Sequence, residues 1–196
     1  MKGRTKDLIL LGIIFTIIIS GLCAAYFAGT RHGRKIAVDF YVQDVPEINQ
    51  EPRYKNIPYY SDYICSLCEE LNVDPDLVVA ILMVENPDYN PEAMHKNTDG
   101  TVDIGLFQMN DKYLWTTFKD RYWFDNIELN PFNWKHNTYL ALHHIQYLQN
   151  RLKIEDDVIM AYNGGEGNVM NGTVKPATKI YLSKVKNNLY LLRAEK

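Results

Sequence analysis

Residues 8–28 read LILLGIIFTIIISGLCAAYFA, a stretch without a single charge, and beyond it apolar and polar positions alternate on a much shorter scale. A helix of that length rises about 30 Å, which matches the hydrocarbon thickness of a bilayer. The pattern therefore predicts one transmembrane helix over 8–28. A cleaved signal segment shares the basic start seen at Lys2, Arg4 and Lys6, but its apolar region is roughly 7 to 15 residues long. The length favours an uncleaved anchor, with a cleaved signal as the alternative. Leu22 is too large to precede a lipid-modified Cys23. Arg31, Arg34 and Lys35 nearly balance the basic residues on the other side, so charge alone leaves the orientation open. The chain then divides into a basic start (1–7), the span (8–28), a stalk punctuated by Pro46 and Pro52 (29–57) and a domain (58–196).

Within 58–196 the apolar spacing is that of helices, with no series of alternating strands, and the predicted class is mainly α. Ser61 is placed to cap a first helix with Ile64, Cys68 and Leu71 on one buried stripe. Asp74-Pro75 is a start signal for a second helix, DLVVAILMVEN, which is apolar on nearly every side and so belongs in the middle of a domain. Pro87 stops it just after Glu85. A turn-rich stretch follows, in which Asp99-Gly100 can close a small hairpin. Asn130-Pro131 opens a long helix with Trp134, Thr138, Ala141, Ile145, Leu148 and Leu152 along one face. DDVIMAYN forms a short helix that stops at Gly164-Gly165. The last helix begins near Pro176 and turns Tyr181, Val185 and Leu189 inward.

Composition removes several function classes. A mean hydropathy of -0.28 argues against a protein with many membrane spans. A net charge of -3 gives no basic face for nucleic acid. Three cysteines are too few for a disulfide framework, and Cys65 and Cys68 form a C-x-x-C. That pair suits a redox couple, half a zinc site or a local disulfide, and most simply two small hydrophobes on an amphipathic helix. No metal or cofactor is expected. The Asn97, Asp99 and Asp103 cluster lacks the glycine and the twelfth-position glutamate of a calcium loop. His136, His143 and His144 have no zinc-binding spacing and read as helix-surface residues.

Glu85 stands out. It ends a mostly apolar helix, where burial and the negative end of the helix dipole both favour the protonated acid. A carboxyl group that holds its proton near neutral pH is what protonation of a leaving glycosidic oxygen requires. Four ordered motifs surround it: VAILMVENPDYNPEAMHKNTDGTVDIGLFQMN, LNPFNWKHNTYLALHHIQYL, VIMAYNGGEGNV and PATKIYLSKV. Together they resemble the soluble-lytic-transglycosylase (SLT) domain of the lysozyme-like superfamily, in the compact form found beside secretion and conjugation machinery.

The resemblance implies a lysozyme-like, goose-type helical domain that cuts peptidoglycan glycan strands outside the cytoplasm. It implies Glu85 as the catalytic acid. It assigns Gly105, Leu106, Phe107 and Gln108 to the segment lining the sugar cleft, and Tyr162 and Asn163 to the polar tips facing the reacting sugar. Tyr181 is the tyrosine of the final helix near the acid. Asn86, expected among the substrate-binding residues, stands where the family usually has serine, and Asn137 where it commonly has glycine. Members of the family use one carboxylate to cut between N-acetylmuramic acid and N-acetylglucosamine, leaving a 1,6-anhydromuramyl end. Two alternatives stay open: a muramidase with Asp103 as second carboxylate, and an inactive glycan-binding scaffold of an envelope complex. Asp103 otherwise reads as a cap for the turn into Ile104-Gly105.

Overall fold

Pro58 sets the start of the first helix. In the computed structural model, which describes residues 53–116 and 129–194, helix α1 spans Pro58–Leu71 with Ile57 at its cap. Proline at the first helical position has its φ preset and loses no hydrogen bond there. The helix thus begins three residues before Ser61, the expected cap. Ser61 is instead fully buried, and its hydroxyl accepts from the Tyr54 N-H at 3.2 Å, fixing the incoming chain. The predicted span 8–28 and nearly all of the stalk lie outside the described residues.

Ile64, Cys68 and Leu71 do form the buried stripe of α1. Asn72 then turns the chain in the left-handed region at φ 52°. Helix α2, Pro75–Glu85, starts as predicted, with the Asp74 carboxylate accepting from the Asp76 N-H at 2.9 Å. Residues 76 to 82 are all buried, so this helix is the central rod of the domain. Asn86 leaves helical geometry, as a residue before proline tends to do.

The hairpin is present. Strand β1 (Met94–Lys96) pairs antiparallel with β2 (Val102–Ile104) around Gly100 at φ +87°, and β3 (Met109–Asn110) adds a short third strand. A π-helical turn, Asp111–Thr116, follows. Two-residue strands and single turns carry no periodicity, which is why the sequence did not announce them.

Helix α3 spans Trp134–Leu152 and begins later than Asn130-Pro131 suggested. Asn133 is the cap, its side-chain oxygen accepting from Lys135 and His136 N-H groups. Asn130 makes a preceding turn, accepting from the Phe132 N-H at 2.9 Å. Thr138, Ala141, Ile145 and Leu148 are buried along the predicted face. Helix α4 (Glu155–Gly164) carries three acidic residues in its first turn, which suits its positive end. A short α5 (Glu166–Met170) leads to α6 (Pro176–Ala194), whose Tyr181, Val185 and Leu189 point inward as expected.

The helices arrange the molecule into two ends. At one end Arg193 of α6 pairs with Asp74 at 2.7 Å and Glu155 at 2.8 Å, clasping the heads of α2 and α4. At the other, the start of α6 meets the ends of both: Tyr181 reaches Glu85, and Thr178 lies so close to Gly164 that a Cβ there would sit 2.8 Å from its hydroxyl. The site grows at this second end.

Candidate active site

Glu85 sits in the last turn of α2 because Asn86 and Pro87 stop the helix there. Its side chain still meets solvent at one edge, but protein atoms crowd the carboxyl group. Desolvation is the leading influence, and it pushes the pKa from 4.5 up to about 7. The hydrogen bond from Tyr181 opposes that rise, and the charge of Asp103 adds to it. The Tyr181 hydroxyl donates to Glu85 Oε1 at 2.6 Å across 96 residues of sequence. Burial and the neighbouring carboxylate hold Tyr181 well above its ordinary range, so it remains a phenol and a donor.

Tyr162, from the last turns of α4, donates to the Phe107 carbonyl at 2.9 Å and lies 3.4 Å from Met109 Sδ. Its pKa is also raised well above the usual value, by burial first and then by the charges of Glu85 and Asp103. Tyr162 thus stands in the electrostatic neighbourhood of the acid. Asn163, next along α4, is exposed.

The Gly105–Gln108 segment forms a tight turn. Gly105 adopts φ +80°, and a Cβ there would lie 2.5 Å from the Pro131 carbonyl and run into the Asn137 amide. Only glycine fits that position. Leu106 and Phe107 are fully buried, so their side chains pack in the core while the Phe107 backbone serves both Tyr162 and Asn137. Gln108, at φ 48°, folds its amide back onto the Gly105 carbonyl at 2.8 Å and the Ala93 carbonyl at 3.2 Å. Its placement braces the turn and the hairpin base. Asn86 is buried and ties the loop after the acid to this turn. It donates to Asn90 O at 2.7 Å and Gly105 O at 3.4 Å, and accepts from Asn90 N at 3.1 Å.

Asn137, noticed in the sequence only as a departure from glycine, holds the whole segment. Buried completely, it accepts from Phe107 N at 2.7 Å and donates to Ile104 O at 2.9 Å and Pro131 O at 3.1 Å. Every donor and acceptor of a buried amide has a use here. Asp103 is corrected in turn: it lies within β2 and caps no turn. Its two oxygens accept from Asn97 at 2.9 Å and Asn110 at 2.7 Å, stapling the sheet.

The remaining candidates fall elsewhere. Cys65 and Cys68 are free thiols, the first half-buried and the second buried. Among the described residues no cluster of three His, Cys, Asp or Glu side chains could hold a metal ion. His136 is a surface acceptor for the Asn130 N-H, but His143 departs from the expected surface role. Burial lowers its pKa to about 4 and keeps it neutral. A cavity of about 410 Å³ lies at the far end of α1 and α3, lined by Asn72, Gln146, Gln149 and Lys153 among others. None of the residues around Glu85 contributes to it.

The family model of the transglycosylase SLT domain matches residues 62–181, more than half of the chain. The chain belongs to this family. The SLT match opens in α1 and closes on Tyr181, the donor to Glu85, so it encloses every residue of the site just described. It accounts for the mainly helical, lysozyme-like domain and supports, at family level, transglycosylase-type action on peptidoglycan. No curated protein matches the chain.

Proposed function

We propose that this SLT domain is a peptidoglycan lytic transglycosylase that cuts the β-1,4 bond between N-acetylmuramic acid and N-acetylglucosamine. The observation that carries this reading is Glu85: one carboxyl group poised near pH 7, addressed by Tyr181, while both oxygens of Asp103 are already bonded to asparagines. Protonated Glu85 gives its proton to the glycosidic oxygen as the C1–O4 bond breaks. The resulting carboxylate then takes the proton of the C6 hydroxyl of the same muramyl sugar as its oxygen bonds to C1. The acid is restored, no water is consumed and a 1,6-anhydro ring closes. A pKa near the working pH suits a group that must act in both forms.

Asn163 and the side-chain oxygen of Gln108, whose amide hydrogens are held within the turn, position the N-acetyl and ring substituents, and the Gly105 turn and Tyr162 shape the wall beside them. The uncharged stretch 8–28 supports an anchor that holds the domain on the cell-wall side of a membrane, where local wall remodelling beside a secretion or conjugation complex would be its task.

Mass spectrometry of digested sacculi tests the chemistry. Wild-type protein should release muropeptides lighter by one water than reducing-end products, and Glu85→Gln should lose at least about a hundredfold in rate, the scale of positioned acid–base catalysis. Reducing ends would assign hydrolysis. Full activity in Glu85→Gln would remove the assignment of the acid.

A further inference from the structure

An aromatic cluster flanks the loop that follows Glu85, and nothing in the chemistry above uses it. Tyr59, Tyr60 and Tyr63 of α1 surround Trp134 at the head of α3. The ring centroids of Tyr59 and Tyr60 are 5.1 Å apart, Tyr60 and Trp134 5.1 Å, Tyr59 and Trp134 5.3 Å, and Tyr63 and Trp134 5.3 Å. Most of these contacts are edge-on, the arrangement that aromatic quadrupoles prefer. Tyr63 is buried, yet Tyr59 remains 71% exposed. A lone exposed tyrosine needs no explanation. One held by two other rings in a fixed orientation is different, because it offers a rigid face whose ordering is already complete before a ligand arrives.

The cluster is tied to the active-site loop. The Tyr60 hydroxyl donates to the Tyr89 carbonyl at 3.0 Å, and Asn56 Nδ2 donates to the Tyr89 hydroxyl at 3.2 Å. Tyr89 itself adopts φ 51° and donates its N-H to the Asn86 carbonyl at 2.9 Å. On the other side Trp134 precedes Asn137 by one helical turn, and Asn137 holds the Gly105–Phe107 turn. The cluster thus reaches the loop after Glu85 through Tyr89 and Asn86, while Tyr181 bonds to Glu85 from α6.

We propose that Tyr59, backed by Tyr60 and Trp134, is a stacking platform for a pyranose ring of the glycan strand, extending the cleft past the loop after Glu85. This rests on the glycan-cleaving reading above and adds a subsite to it. The chemistry fits a sugar. A pyranose presents a face of C–H groups that packs on an aromatic ring and a rim of hydroxyls, and the tyrosine hydroxyls give the platform a polar edge. Lys135, whose ammonium lies 5.7 Å from the Trp134 ring centre and 5.8 Å from that of Tyr63, adds a positive charge beside it. Carboxylates carried on the strand's peptide stems would meet that charge.

The test uses the full chain in a Glu85→Gln background, so that strands are bound and not consumed, and measures co-sedimentation with purified sacculi. Tyr59→Ala should weaken binding about three- to tenfold, the fold-change that corresponds to one aromatic stacking contact. Tyr59→Phe, which keeps the ring face, should stay within about twofold. Tyr59→Ala gives up the two ring contacts and should lower the melting temperature by a few degrees, whereas Tyr59→Phe keeps them and should not; binding measured well below both melting temperatures separates lost contact from lost fold. In the active protein Tyr59→Ala should raise KM for glycan strands by the same factor while kcat moves less. Binding unchanged in Tyr59→Ala, or weakened equally in Tyr59→Phe, overturns the platform. Absence of turnover in wild type with binding that still depends on Tyr59 overturns the enzymatic reading instead.

Discussion

Glu85 is held between opposing influences, and its behaviour with pH follows from their order. Desolvation raises its pKa to about 7 and the Tyr181 hydrogen bond restrains that rise, because a donor favours the carboxylate. Tyr181→Phe removes the restraint. The alkaline limb of the activity profile, which marks loss of the acid's proton, should then move to higher pH, and a pH–rate profile of the variant checks the direction. The same shift has a stability consequence. A carboxyl whose folded pKa lies above its unfolded value of 4.5 contributes fully only below that value, and the contribution is lost as pH rises through about 7. Gln cannot ionise. Glu85→Gln should therefore be more stable to unfolding than wild type at pH 8, by at most about 3 kcal/mol, with the gap closing near pH 4. Denaturant titrations at the two pH values measure it. The helix end and the out-of-place carboxylate were legible in the sequence from the apolar run of α2 and the proline that follows it. The resemblance already put Tyr181 near the acid, but that it donates directly to Glu85 at 2.6 Å came only from the packing of α6 on α2.

At the scale of elements, a capping side chain followed by proline starts a helix at Asp74-Pro75 but only a turn at Asn130-Pro131, and at α1 the proline outranks the expected serine cap. Pro58 began α1 ahead of Ser61 because a preset φ nucleates the first turn, which freed the Ser61 hydroxyl to accept from Tyr54. Asn133 displaced Asn130 as the cap of α3 because its oxygen reaches two N-H groups at once. The turn at Gly105 is the most constrained element. Its φ of +80° and the close approach of the Pro131 carbonyl leave no room for a side chain. Gly105→Ala should destabilise the domain by about 2–5 kcal/mol, the sum of left-handed backbone strain and overpacking. A thermal melt with a lost native signal from the cleft would report both effects. Asn137 explains how the chain manages without the glycine the family commonly has at that point: its amide fills the space, supplies two hydrogen bonds to the turn and adds a third to the Pro131 carbonyl.

At the scale of the molecule, the ion pairs of Arg193 and the pair Glu85–Tyr181 mark opposite ends of the α2–α6 contact. The first lies in solvent, and screened surface pairs are worth little. Arg193→Ala should cost no more than about 1 kcal/mol, less at high salt, and leave activity in place; melts at two ionic strengths with a parallel muralytic assay test this. At the buried end, exclusion of water both raises the Glu85 pKa and keeps Tyr181 and Tyr162 neutral, which suits the acid–base role proposed for Glu85. By itself the sequence determined which segments are helical, which one is central and which carboxylate is out of place, since periodicity, proline and burial of apolar side chains are local properties of the chain. The motif resemblance named Tyr162, Tyr181 and the Gly105 segment as neighbours of that carboxylate, but the tertiary structure alone decided which atoms bond to which, what Asp103 and Asn137 do, and where the aromatic face of Tyr59 lies, because each depends on contacts between residues that are distant along the chain.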